Sequence, residues 1–500
     1  MRSAALGFLF AFLTLHVALS AKAKVLILGG GIAGLQVAYH LKTLGINDIL
    51  LVEADDHVGG RLVAGHVAGI PSDSAFWEVD ERIEERDVLG IMLDECKVSI
   101  SDFGLPTRVF IDEKGNVITT EAEARRKDLE AALRGLKTDW QGQKLTARDD
   151  LTMHAALRLY GWHPRNSIDV AVEGWIFDSL LQPGEQSASN YLYTNGGLNS
   201  YSEHAEMYAA GQDENFSTMK LVDCMKNFVF APNDERLLLN KRVTKIRYST
   251  TGVTAIDENG TTYEGDYGVV TFSLGILQED FVEFQPRLPY RKRLAINEFV
   301  MLPLTLVWVR FDRRIQIEGE RYRFYLFANA HRWNWHWCRD VLSSNQNASF
   351  DVLRFWLTGE NALRIERQSL NETLDEVNEV MMSAFGVAPV SVVLNHLNYD
   401  RRYYGGYRAW PTGVTLNDFD ELRRPVWNRL FFAGDAYQIP LFARAAAISG
   451  NETAQVIADC MAGKSCGYEM YGESLCSGAA LEEMSLVALS AWAFVFATLH

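Results

Sequence analysis

The sequence is short of several things, and each absence excludes something. No repeat and no low-complexity tract interrupts its 500 residues, which rules out a solenoid, a fibrous array and a disordered scaffold. There is no cationic excess: 48 Lys and Arg stand against 64 Asp and Glu, for a formal charge of −16. Nucleic-acid binding rests on phosphate neutralisation by Lys and Arg, so that partner is excluded. A negative balance favours cationic ligands or simply solubility. The six cysteines, at 96, 224, 338, 460, 466 and 476, form no zinc pattern, since no His joins the Cys460–Cys466 pair. Long apolar runs are missing too. The run after Arg2 ends near Val17, and the final LVALSAWAFVFATLH covers only 486–500. Both fall short of the roughly 20 residues that a spanning helix needs.

What is present starts at the termini. Arg2, the apolar run and the small residues before Ala21 have the pattern of a secretory signal over 1–20, cut near Ser20–Ala21 or Ala23–Lys24. Secretion permits disulfides, with Cys460 and Cys466 as a candidate pair, and N-glycosylation at Asn215, Asn259, Asn347, Asn371 or Asn451. Asn451 lies in a stretch expected beside a nucleotide site and should stay bare. CSGAALEEMS (476–485) followed by the apolar tail resembles a GPI-attachment signal with a short spacer. The alternative for this tail is a final buried or amphipathic helix. The expected location is extracellular, either free or attached to the cell surface.

A chain of this length, 48% hydrophobic and 22% charged, suits a large globular fold of two domains. VLIL (25–28) reads as a buried strand, Leu35–Leu44 as a helix stopped by Gly45, and DILLVEA (48–54) as a second strand, together a βαβ unit. Gly29-Gly30-Gly31-Ile32-Ala33-Gly34 fits G-x-G-x-x-G at the strand-to-helix turn. The first Gly permits the turn, the second lets backbone approach a pyrophosphate, and the third lets helix and strand pack closely. Ile32 and Ala33 open the helix whose N-terminus would hold the pyrophosphate. Glu53, nineteen residues past Gly34, ends the second strand, where a carboxylate accepts from ribose hydroxyls. Both features together predict dinucleotide binding.

Farther along, 80–200 reads as helices with long loops, and 237–274 as short strands with turns at Thr251–Gly252 and Asn259–Gly260. LPLTLVWVRF (302–311) is a strand, 369–386 a helix ended by Gly386, RLFFAGDA (429–436) a strand entering a turn, and Ala443–Met461 a helix.

VEADDHVGGR (52–61) resembles the second signature of the FAD-dependent flavin amine oxidase family, which implies that Gly59, Gly60 and Arg61 lie along the FAD diphosphate. The resemblance extends over nearly the whole mature chain. VTKIRYSTTGVTA (243–255) carries it to Val243 at the adenine, and YYGGYRAWPTG (403–413) to the segment over the flavin ring, with Trp410 as its aromatic. FFAGDA (431–436) carries it to Gly434 and to Asp435 near the ribityl chain, with Ser449–Gly450 and Thr453 in the helix that follows. The pattern is most similar to secreted plant-type polyamine oxidases, down to the Cys460/Cys466 spacing. Monoamine oxidases link flavin through a Cys where this chain has Tyr407, so the resemblance implies non-covalent FAD.

It also implies an α/β and α+β architecture, a Rossmann-like FAD-binding domain (21–95, 205–287, 400–465) interleaved with a mixed-sheet substrate domain (96–204, 288–399), with a tail at 466–500. The implied reaction is oxidation of a C–N bond of a polyamine or related amine by hydride transfer to flavin N5, with oxygen as acceptor. The chain departs from the family at the chemistry. Aligned by its closing Arg-Phe, the strand 302–311 puts Leu306 where the family has a lysine and Leu304 where plant-type enzymes have Tyr; the last lysine before it is Lys292. Ser74-Ala75-Phe76-Trp77 replaces Gly-Ala-Asn/Ser-Trp, a family glutamate aligns with Leu180, and a tyrosine with Phe442; Glu78 or Asp80 stands near the tunnel mouth. Alternation places Leu304, Leu306 and Trp308 on one face, the flavin side. No acid–base residue is assigned. Two readings follow: an oxidase of a more apolar amine, or a secreted or surface FAD-binding homologue with little or no turnover.

Overall fold

The computed structural model describes residues 20–62, 66–67, 70–71, 78–80, 88–98, 107–141, 150–177, 186–194, 207–209, 218–315, 323–328, 337–340, 349–438 and 442–468. The leader, Ser74–Trp77, Leu180, Asn215, Asn347, Cys476 and the tail beyond 468 lie outside the described residues.

Two sheets organise the chain. The first has eight strands. Its centre is parallel: Ser20–Leu28 pairs with Ile49–Val52 on one side and Thr262–Val270 on the other, and Leu430–Phe432 pairs in parallel with Thr262–Val270. Leu237–Leu238 extends the Ile49–Val52 side in parallel. On the other flank Val253–Asp257 turns antiparallel between Thr262–Val270 and Val243–Tyr248. The Ile49–Val52 strand is buried throughout, as a parallel strand covered on both faces must be. The helix Ile32–Thr43 crosses over, packed on the long last helix Phe442–Met461. The first strand is longer than the expected 25–28, because Ser20–Ala23 keep pairing with Thr262–Gly265.

The second sheet has six strands in the order Ser391–His396, Leu304–Arg310, Val352–Thr358, Trp337–Asp340, Arg323–Ala328, Thr107–Asp112. All neighbours are antiparallel except the last two. Pro303, which cannot donate to a ladder, splits the expected strand 302–311 into Val300–Leu302 and Leu304–Arg310. Period-two alternation then sorts the second piece. Leu304, Leu306 and Trp308 face one core, and Val307 and Val309 the opposite one.

That first core is closed by the helices Thr119–Gln141, Met153–Leu159, Ser167–Phe177 and Ala188–Thr194. Ala122, Leu129, Ala132, Leu133 and Leu136 form the helical stripe that faces it. The strand Thr107–Asp112 was not expected inside this helical stretch.

Packing moves one domain boundary. The helix Tyr290–Glu298 falls in the substrate segment 288–399 by sequence. Its Ala295 and Ile296, with Phe299 just after it, instead pack with Phe419 and Leu422 in the nucleotide-side core. The crossover to the second sheet therefore comes near residue 300. Disulfides join Cys460 to Cys466 as expected, and Cys96 to Cys224, which no spacing signalled. Cys338 is buried. Among the described residues no helix is long and apolar enough to cross a membrane.

Candidate cofactor and active site

A cleft opens at the carboxyl ends of the parallel strands, where ligands of open α/β sheets bind. Its floor is the glycine turn. Gly29, at φ +109°, takes a backbone conformation that side chains rarely adopt, and a Cβ there would lie 2.3 Å from Thr271 Oγ1. A Cβ on Gly34 would lie 2.0 Å from Gly29 O, so this glycine does pack helix on strand. Gly31 does something else. It faces the second glycine loop, where a Cβ on Gly60 would come within 3.2 Å of Gly31 Cα. The two loops together leave a backbone-lined slot. The helix Ile32–Thr43 starts at that slot with Gly31 as N-cap, without a side-chain cap and without an acidic residue in its first turn. Its opening N–H groups and the positive end of its dipole thus face the cleft at Ile32 and Ala33, both of which line it, and favour an anion there.

Glu53 stands at the side of this slot. Its Oε2 accepts from Gly30 N at 2.5 Å and its Oε1 from Asp55 N at 2.8 Å. Burial holds the carboxyl above its ordinary range against those two donors. Val243, the first residue of its strand, lines the same end of the cleft with Lys241 and Arg242. At the other end Arg61 donates to Asp435 Oδ1 at 2.5 Å and to Gly406 O. Gly434 N donates to Ser449 Oγ at 3.1 Å, which ties the Asp435 turn to the last helix.

The structure therefore brings Gly29, Gly31, Ile32, Ala33, Glu53, Gly59, Gly60, Arg61, Val243, Gly434 and Asp435 to one cleft, with Gly34 packed beneath it. Trp410 is placed elsewhere. Its ring packs on Phe419 (5.2 Å) and Phe299 (5.5 Å) under the Arg408 guanidinium, in the core behind the cleft wall. Tyr407, with Tyr403, is the aromatic of that segment that reaches the cleft. Tyr403, Thr271, Ser273 and Arg402 also line it and were missed from sequence. Only the aromatic-glycine run Tyr403-Tyr404-Gly405-Gly406-Tyr407 hinted at the first of them.

One glycine joins this cleft to the second sheet. Gly406 lines the cleft, and a Cβ on its far side would sit 2.5 Å from Leu304 Cβ. Leu304 and Leu306 are both fully buried, with Leu306 between Trp356 and Asn395 on the neighbouring strands. The position where the resemblance implies a lysine therefore lies in an apolar core. Lys292 does not replace it, since its Nζ donates to Leu422 O and Arg424 O over the Phe432 ring. Glu78 and Asp80 sit on a short strand paired with Met207–Ala209, and Phe442 opens the last helix.

The slot, its anion-seeking helix end, the ribose-side carboxylate and Arg61 fit FAD. Comparison with known proteins agrees. Polyamine oxidase 1 of Zea mays is 30% identical over 90% of this chain and 93% of its own, and polyamine oxidase 7 of Oryza sativa subsp. japonica 31% identical over 84% and 91%. Among solved structures, a putrescine oxidase redesigned at its cofactor site superposes with a TM-score of 0.72 at 16% identity, covering 89% of this chain and 100% of that one. Cyclohexylamine oxidase from Brevibacterium oxydans superposes with 0.68 at 18% identity, covering 88% and 99%. The model of the flavin containing amine oxidoreductases matches residues 32–458, so the chain belongs to that family, a flavoprotein whose FAD is held non-covalently.

Proposed function

We propose that the chain is an FAD-dependent oxidase of a polyamine or a related, more apolar amine, working outside the cell with oxygen as final acceptor. The observation that carries this reading is Gly406, which belongs to the cofactor cleft on one side and touches the Leu304 strand on the other. Bound flavin supplies the two-electron acceptor for the C–N bond. The chain supplies the rest. Glu53, the glycine slot and Arg61 bind and orient the cofactor. Leu304, Leu306, Trp308 and Trp356 supply the buried apolar core that backs the cleft wall at Gly406. An apolar wall disfavours an ammonium ion and so favours the neutral amine, the form that can give up a hydride. The 30% identity to a polyamine oxidase over most of both chains supports the substrate class. Two disulfides and the leader pattern support an oxidising, extracellular location.

The test is anaerobic bleaching of the flavin absorbance by spermidine, spermine, their N-acetyl forms and a set of apolar primary and secondary amines. Bleaching by any of them establishes amine oxidation, and its rate order names the substrate. Retention of full absorbance with the whole set would replace this reading by a flavin-binding protein without turnover.

A further inference from the structure

Between the strands Ser391–His396 and Tyr407–Ala409 the chain crosses the cleft as residues 397–406, and Arg401, Arg402, Tyr403 and Gly406 of this segment line it. The segment is tied down at both ends by different chemistry. Its base is buried: the Asn398 side chain accepts from Leu304 N at 2.7 Å and donates to Thr305 Oγ1 at 3.0 Å and to Glu366 Oε1 at 2.9 Å. Its middle is fixed to the second glycine signature and to Ser273. The Tyr403 hydroxyl donates to Gly60 O at 2.8 Å, Ser273 Oγ donates to Tyr403 O, and Arg61 donates to Gly406 O.

Its outer edge is ionic. Arg402 donates to Asp55 Oδ2 at 2.5 Å, two residues past the ribose-side Glu53, and to Asp400 within the segment at 2.5 Å. The two side chains of the Arg402–Asp55 pair are 38% and 19% exposed, so water and ions reach this edge and not the base.

We propose that residues 397–406 are a strap that retains FAD, and that Arg402 is a positioning residue whose pair with Asp55 latches it. The order of opening follows from the environments. An exposed ion pair is screened by salt, whereas buried hydrogen bonds are screened much less. The Arg402–Asp55 edge therefore releases first. Tyr403 can then leave Gly60 O, and the cleft opens beside Glu53 while Asn398 keeps the hinge in place. FAD leaves or enters through that opening, so the latch sets its residence time.

The experiment follows free FAD by its fluorescence after dilution of the purified holoprotein. R402Q and D55N are each expected to release FAD about tenfold faster, and the double variant no faster than either, because both remove the same contact. R402K, which keeps the charge without the fork, should recover part of the residence time. In the unaltered protein, release should quicken several-fold between about 20 and about 500 mM NaCl, and the double variant should lose most of that dependence. Melting of the apoprotein separates a latch from a fold defect, since an exposed pair contributes little to stability. Release rates within twofold of the unaltered protein, additive effects of R402Q and D55N, or a salt dependence unchanged in the double variant would each overturn the proposal. Should R402Q fail to fold, D55N and the salt series decide it.

Discussion

Leu304 presses so closely on Gly406 that a Cβ there would stand 2.5 Å from Leu304 Cβ and 2.8 Å from its Cδ2. The two residues are the point where the substrate-side sheet meets the cofactor cleft. G406A must therefore push the strap backbone toward the cleft or Leu304 into its buried core. Either shift moves the carbonyl that Arg61 holds. We expect a loss of about 1–3 kcal/mol of stability by overpacking, together with a rise of about tenfold in the Kd for FAD. Chemical denaturation of the apoprotein and flavin titration measure the two effects separately. Shortening the partner in G406A/L304A should restore part of the FAD affinity.

Leu306, where the family resemblance implies a lysine, is fully buried against Trp356. L306K puts an amine there. Burial would drive its pKa down, and the cost of the polar group is about 1–3 kcal/mol. If the apolar wall limits the oxygen step, reoxidation of the reduced flavin should accelerate about tenfold or more, since general acid–base assistance has that reach. Stopped-flow mixing of photoreduced protein with oxygen reads this without any amine substrate. An unchanged oxygen rate would remove position 306 from the oxidative half of the cycle.

Lys292 is 1% exposed, and its Nζ donates to Leu422 O at 2.7 Å and Arg424 O at 2.5 Å, at the end of the helix Leu416–Arg423. Burial pushes the ammonium down to about 7, with Glu421 pulling the other way. In the unfolded chain the same group titrates near about 10.4. Between these values the unfolded chain holds a proton that the folded one has shed, so stability rises with pH across that window. Below it both states are charged and the contribution is level. Denaturant unfolding from about pH 7 to about pH 9.5 should show that rise in the unaltered protein and not in K292M. The variant should also be less stable by about 1–3 kcal/mol, because two carbonyls at the helix end lose their donor.

The parts of the site legible in sequence are those whose physics is local. Gly29, Gly31, Gly34 and Glu53 act within one strand–turn–helix–strand unit, and spacing alone places them. Arg61 and Asp435 lie 374 residues apart, so only the family resemblance brought them to one cleft, and it could not say that they bond to each other. Trp410 shows where a motif stops short. Alternation along Tyr407–Ala409 points Tyr407 to the cleft and Arg408 away from it, and the tryptophan follows the arginine into the core. Arg402 carried no signal of its own and Tyr403 only that of its aromatic-glycine run, because their partners Asp55 and Gly60 come from the far end of the chain. The Cys96–Cys224 bond, spanning 128 residues, was hidden for the same reason. Alternation on one strand was enough to put Leu304, Leu306 and Trp308 on a common face.

Three of the five glycosylation sequons fall on described residues, and their surroundings differ. Asn259 is exposed in the turn between the strands Val253–Asp257 and Thr262–Val270, where its N–H donates to Asp257 Oδ1. Asn371 is exposed in the first turn of the helix Leu370–Phe385. A glycan on either projects into solvent. Asn451 lies mid-helix, within 3.5 Å of Gln36 on the crossover helix, and beside it a Cβ on Gly450 would be 2.5 Å from Ala33 O. A sugar there would have to separate the two helices that close over the diphosphate slot. Expressed through a eukaryotic secretory pathway, the chain should carry glycan at Asn259 and Asn371 and none at Asn451, as read by peptide mass spectrometry after enzymatic deglycosylation. Occupancy of Asn451 in protein that still binds FAD would contradict the packing of these helices. Bare Asn259 and Asn371 in secreted protein would mean that exposure at those two turns is not enough for modification.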